Sequence, residues 1–231
     1  MPYNIIYASC KGKKDGHPYQ DFIQVVESDR YTLATLADGL GSSKFSSRGA
    51  SLICSILAEQ FEKGIFTSSS ISDILESSIS CWYNRLEEKG FSTKDFLTTS
   101  SLMFLMKGQK IAYFAHIGDS LLAYRCNGDE LVCITEDKDF LNETSCIGTD
   151  FWPSYDVKEV AFKESIDFII ASDGFGDEIC LENIGGLFDY FIESYSRVKY
   201  EKRNKVLKNE LVEAMRVKNN DDKSIIFGWI R

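Results

Sequence analysis

The chain has 231 residues, 44% of them hydrophobic, and a formal net charge of −9. That length suits one large domain, 1–231, with a substantial core, and three prolines among sixteen glycines mark neither a linker nor a low-complexity tail. An acidic surface repels nucleic-acid backbones and anionic lipid, so neither nucleic acid nor a membrane is an expected partner.

The chain opens MPYNIIYASCKGKK, with its basic residues after a short apolar run. That order is the reverse of a secretory signal. No run approaches the roughly 18 apolar residues of a membrane span, and the expected location is the cytoplasm. Residues 22–27 (FIQVVE) and 31–37 (YTLATLA) read as strands joined by the turn Ser28-Asp29-Arg30. The turn DGLGSS follows. Phe45, Ala50, Ile53, Leu57 and Phe61 then recur at helical spacing, with Gly64 closing the segment. A second helix carries Ile71, Ile74, Leu75, Ile79, Trp82 and Leu86 on one stripe and ends at Gly90.

Residues 99–106 and 110–117 read as strands about a Gly108-Gln109 turn. Residues 121–126 and 130–134 flank Asn127-Gly128, a strong hairpin signal. Residues 135–154 are polar and irregular; strands resume at YDVKEVAF and DFIIA, and SIIFGWI ends the chain. Between the last two lie two helices within 183–218, the second basic, with Val206, Leu207, Leu211 and Met215 on one side. Strands and helices do not alternate as in a doubly wound fold, so antiparallel sheet layers with helices outside are expected. The seven cysteines are odd in number and form no CxxC pair, which argues against a disulfide framework or a zinc knuckle.

Five aspartates stand at ends of predicted strands: Asp21 in YQDF, Asp38 in LADGLG, Asp119 in HIGDS, Asp173 in ASDGFG and Asp221 in NNDDKS. They are separated by 17, 81, 54 and 48 residues, so only a fold can gather them. Singly, each also reads as a turn, a strand cap or a solvated loop residue. Together, carboxylates converging at one rim would raise one another's pKa values unless a divalent cation relieved the repulsion. An all-oxygen donor set suits Mn²⁺ or Mg²⁺. Gly39, after Asp38, would let its own carbonyl reach an ion.

In this setting the sequence resembles the metal-dependent protein phosphatases of the PP2C type, the PPM family, from about Ser9 to Trp229. LATLADGLG resembles the Asp-Gly motif, and YFAHIGDSLLAYRCNGDELVCITED the Gly-Asp-Ser strand pair. DFIIASDGFGDEI resembles the Ser-Asp-Gly motif, and NDDKSIIFGWI the closing strand. The resemblance implies an α+β, four-layer αββα sandwich: two antiparallel sheets flanked by pairs of helices. It implies two Mn²⁺ or Mg²⁺ ions and a possible weaker third. Asp38 would bridge two ions, Gly39 would bind one through its carbonyl, and Asp173 and Asp221 would complete one ion's protein ligands. Asp21 would act near the other ion, partly through water, and Asp119 would help hold the third.

Catalysis would fall to Asp38, Asp21 and His17. The implied activity is hydrolysis of phosphoserine and phosphothreonine in proteins by a water acidified between two ions. The expected partner is a phosphorylated Ser/Thr protein, a kinase or a kinase target, and the chain is expected to act as a monomer. The segment Ser145–Trp152 resembles the mobile flap beside the site, with Gly148 at its recurrent glycine.

Two departures bear on this expectation. Leu40 stands where many relatives have a histidine that can donate a proton, and Leu121 replaces an arginine after Gly-Asp-Ser. His17 is a substitute donor, a phosphate contact in the manner of a bacterial branch of the family, or a plain exposed histidine. His116 reads as structural. The rival readings are a weak or inactive phosphatase-like protein that binds and regulates a phosphoprotein, and a metal phosphoesterase acting on small phosphates or nucleotides.

Overall fold

The structure is a computed structural model that describes residues 3–12, 18–63, 68–128, 131–134, 145–214 and 221–231. Its described elements are antiparallel strands and helices in two compact units that interleave along the sequence.

One unit spans Gln20–Ser120 and Thr135–Ala161. Its sheet runs in the order β2 (Phe22–Glu27), β3 (Tyr31–Ala37), β4 (Ser100–Met106), β5 (Ile111–Ile117) and β8 (Asp156–Ala161), every neighbour antiparallel. The helices are α1 (Ser46–Lys63) and α2 (Ser68–Glu87), followed by a 3-10 turn at Thr93–Phe96. The core unites Leu33, Phe104 and Tyr113 of the sheet with Ile53, Leu57 and Phe61 of α1 and Leu75, Ile79 and Trp82 of α2. The helical spacing of these apolar residues thus becomes the packed face of each helix. Trp82 is fully buried, and its indole N–H donates to the Gly49 carbonyl at 3.0 Å.

The other unit comprises Met1–Tyr19, Leu121–Ile134 and Phe162–Arg231. Its sheet has the order β1 (Tyr3–Cys10), β10 (Lys223–Ile230), β9 (Ile166–Ala171), β6 (Leu121–Cys126) and β7 (Val132–Ile134), again wholly antiparallel. Three helices accompany it: the single turn α3 (Asp173–Gly176), α4 (Ile184–Ser196) and α5 (Tyr200–Ala214). Phe188, Phe191 and Tyr195 of α4 and Leu207 and Leu211 of α5 join Ile169, Ile225 and Phe227 in a second core.

The expected strands fall within a residue or two of those observed, and the α+β expectation of two antiparallel sheets with helices holds. Asn127 and Gly128, directly after β6, both adopt positive φ, 51° and 79°, the conformation that such turn residues favour. The sequence reading passes over β1. Its residues YNIIYASC look like a stray apolar run because a terminal edge strand shows its register only against β10. Gly64, Met215 and the middle of the 135–154 segment lie outside the described residues. Among those described, no disulfide joins the cysteines, and no helix is long and apolar enough to cross a membrane.

Candidate metal centre

Within the first unit, strand register assembles three of the five aspartates at one end of the sheet. The last β2–β3 pair is Phe22 with Ala37, which places Asp21 opposite Asp38 at the next step. The Gly39 N–H donates to the Gln20 carbonyl at 3.2 Å, which carries the pairing one residue further. Directly opposed residues project to the same face of a sheet, so the two carboxylates share a side. Asp21 is only 3% exposed, and a buried carboxylate is costly without a compensating partner or cation.

Asp38 is fixed through its backbone by the start of the next strand. Its N–H donates to Thr99 Oγ1 at 3.0 Å. Its carbonyl accepts from the Thr99 N–H at 2.8 Å and from Thr98 Oγ1 at 2.9 Å. Gly39 is held against the first turn of α1, where a Cβ would stand 2.6 Å from the Ser46 carbonyl carbon. No other residue fits there without moving the helix. Gln20 Nε2 closes the corner by donating to Ser46 Oγ at 2.6 Å. Asp119 follows β5 by two residues and is half-buried.

The second unit gathers the other two. Ala171 pairs with Ile225 at the end of β9, so Ser172 faces Ser224. The Ser172 N–H donates to the Ser224 carbonyl, and the Ser224 N–H to Ser172 Oγ, both at 3.0 Å. The chain then turns through Asp173-Gly174 directly against Asp221-Asp222. A Cβ on Gly174 would lie 3.1 Å from the Asp221 Cβ. Asp222 accepts from the Gly12 N–H at 2.7 Å, which ties the end of β1 to the same corner.

Each sequence-predicted aspartate therefore sits at a strand end beside another of the set: Asp21 and Asp38 with Asp119 at the same sheet end, Asp173 with Asp221. Within neither unit do three His, Cys, Asp or Glu side chains among the described residues form a group able to hold an ion. His17 lies outside the described residues. The donor chemistry fits a hard divalent cation, since every predicted ligand is a carboxylate or a peptide carbonyl. The glycine cradles at Gly39 and Gly174 fit it too, because they let backbone and carboxylate approach where a side chain would intrude.

Sequence reasoning missed the residues that hold these aspartates. Thr98 and Thr99 look like the start of a strand; only their pairing shows that they fix Asp38. Gln20 carries no motif. Lys223 has a signal in retrospect, a lysine at the head of an apolar run. His116, expected to be structural, is buried, and Nδ1 lies 2.8 Å from Ser101 Oγ, its cross-strand neighbour. Burial lowers its pKa, against the smaller opposing effects of the Gly118 backbone and the Asp119 charge. Leu40 donates its N–H to the Leu97 carbonyl, and its side chain brings no proton to the site.

The flap expectation meets a segment held at several points. Ile147 exchanges backbone hydrogen bonds with Thr98, and the Gly148 N–H donates to Tyr83 Oη at 3.0 Å. Thr93 Oγ1 donates to the Gly148 carbonyl at 3.0 Å.

The architecture is that of known bacterial serine/threonine phosphatases. The chain is similar to the S. agalactiae serine/threonine phosphatase, at 20% identity and a TM-score of 0.76 over 100% of both chains. It is similar to Stp1 from Staphylococcus aureus, at 17% identity and a TM-score of 0.69 over 100% of this chain and 96% of that one. It is also similar to the catalytic domain of PstP in complex with two manganese ions, at 17% identity and a TM-score of 0.65 over 99% of each. No curated protein sequence matches the chain significantly. The family model for protein phosphatase 2C matches residues 11–215, and the chain belongs to that family. It is, by that membership, a serine/threonine protein phosphatase.

Proposed function

We propose that the protein hydrolyses phosphoserine and phosphothreonine in proteins with two divalent ions, Mn²⁺ or Mg²⁺, and a weaker third. The observation that carries this reading is the placement of the family's acidic motifs at strand ends, with Asp21 opposite Asp38 and Asp173 against Asp221. Asp38, the Gly39 carbonyl, Asp173 and Asp221 are the principal ligands; Asp21 serves one ion partly through water, and Asp119 serves the third. Bound there, the ions lower the pKa of a water and neutralise phosphoryl charge.

The chain's own residues supply the frame. Thr98 and Thr99 hold the Asp38 backbone, so its carboxylate starts from a fixed point. Gln20 and Ser46 lock the Gly39 corner. Ser172 and Ser224 set the step at which Asp173 leaves β9. His17 is the residue assigned to contact phosphate or donate a proton to the leaving oxygen, a role Leu40 cannot take.

The family match spans residues of both units, which supports reading 1–231 as one phosphatase domain. The substrate is a phosphorylated Ser/Thr protein, a kinase or a kinase target, and the enzyme acts as a cytoplasmic monomer. Leu40 favours a second reading, a phosphatase-like protein that binds and regulates a phosphoprotein. One experiment separates the two: phosphate release from a phosphothreonine peptide, with and without Mn²⁺, for wild type and Asp38→Asn. Mn²⁺-dependent release that falls at least about 100-fold in the variant supports the enzyme. No release by folded, Mn²⁺-bound wild type sinks it in favour of binding.

A further inference from the structure

Lys223 opens β10, two residues after Asp221, and its side chain is completely buried. A lysine is almost never so buried unless it is paired. Its Nζ donates to the Gly174 carbonyl and to Glu178 Oε1, the latter at 2.8 Å. Both acceptors belong to the short segment that begins with Asp173, runs through α3 and continues to Glu178. One ammonium group therefore joins the turn that carries Asp173 to the strand start that carries Asp221, across 49 and 45 residues of sequence.

Stability alone is a weak reason for such a contact. A buried ion pair is often no better than apolar side chains of the same volume, because desolvation offsets the attraction. Position is a stronger reason. The acceptor carbonyl belongs to the residue directly after Asp173, and Gly174 itself rests on the Asp222 backbone with no room for a Cβ. The Gly12 N–H holds the Asp222 carboxylate at the same corner. Beside these contacts, the Lys223 ammonium ties the Asp173 turn to the strand start.

We propose that Lys223, with Glu178 as its counter-charge, is a positioning residue that sets Asp173 and Asp221 for a shared divalent cation. This rests on the two-ion reading above. Lys223 touches neither substrate nor reacting atoms in this role; it acts through the backbone of the Asp173 turn. In this chain the lysine stands between Asp222 and Ser224 of the closing motif.

The test is Mn²⁺ binding by isothermal titration calorimetry, with urea unfolding, on wild type, Lys223→Met and the double variant Lys223→Met/Glu178→Leu. Loss of a residue that orients ligands weakens metal binding roughly 10- to 100-fold. The single variant should lose both stability and Mn²⁺ affinity. The double variant removes the Glu178 carboxylate together with its counter-charge, so it should recover stability while its Mn²⁺ affinity stays at least about tenfold below wild type. Wild-type affinity in a folded single variant, or in the double variant, would overturn the proposal and leave Lys223 a stabilising residue only. A wild type that takes up no Mn²⁺ would remove the two-ion reading and this proposal with it, a result distinct from either.

Discussion

Gly174 and Asp222 approach so closely that a Cβ built on the glycine would stand 2.1 Å from the Asp222 carbonyl oxygen. Two turns, 48 residues apart in sequence, are thus packed backbone to backbone, with a proposed ligand on each. A methyl group at Gly174 must push one turn away from the other. Gly174→Ala should cost about 1–3 kcal/mol in urea unfolding. It should also cut Mn²⁺-dependent phosphate release at least about tenfold, since small displacements of ligands are expensive in catalysis. Unchanged turnover would show that the head of β10 shifts without consequence.

Trp82 joins α2 to α1 by its hydrogen bond to Gly49. In Trp82→Phe the ring is smaller and the buried Gly49 carbonyl loses its donor, which costs about 1–3 kcal/mol. Trp82→Ala adds a large cavity and should cost about 3–5 kcal/mol. Denaturant midpoints of the two variants check the order. A Trp82→Phe midpoint equal to that of wild type would mean that the indole N–H contributes nothing.

Asp167 is a buried carboxylate, 2% exposed, between two guanidinium groups. It accepts from Arg125 Nε at 3.2 Å and Nη2 at 3.0 Å, and from Arg231 Nη2 at 2.8 Å. An asparagine offers one acceptor oxygen and turns its amide donors toward cations. Asp167→Asn should cost about 3 kcal/mol, the low end for breaking a buried pair, because the Arg231 side chain is 44% exposed. Thermal unfolding at neutral pH measures it, and Arg231→Ala should cost less.

His116 gives a pH dependence of definite sign. Burial lowers its pKa in the folded state from the ordinary 6.5. Between the two values the unfolded chain binds the extra proton, so stability increases with pH. The contribution is therefore complete above about 6.5, declines as pH falls through that window, and is gone below the folded value. Other groups also titrate there, so the difference between wild type and His116→Gln isolates the effect. A difference that is flat from pH 7.5 to pH 5 would contradict it.

Much of the molecule was legible in the sequence, because strand alternation, helical spacing and turn residues are local signals. FIQVVE and YTLATLA became β2 and β3 at their predicted bounds, and Asn127 and Gly128 after β6 both took positive φ. The aspartates could be picked out one by one, each at the end of an apolar run. What the sequence could not state was who stands beside whom. Asp21 faces Asp38 only because β2 and β3 pair in one register, and a slip by one residue would send one carboxylate to the other face. β1 went unread for the same reason, since an edge strand is defined by its partner. Lys223 finds Gly174 and Glu178 only once β9 and β10 are neighbours. Sequence alone thus determined the elements and the kinds of donor at their ends. Tertiary structure decided the pairings, because strand register and buried charge pairing depend on residues dozens of positions apart, which no local pattern encodes.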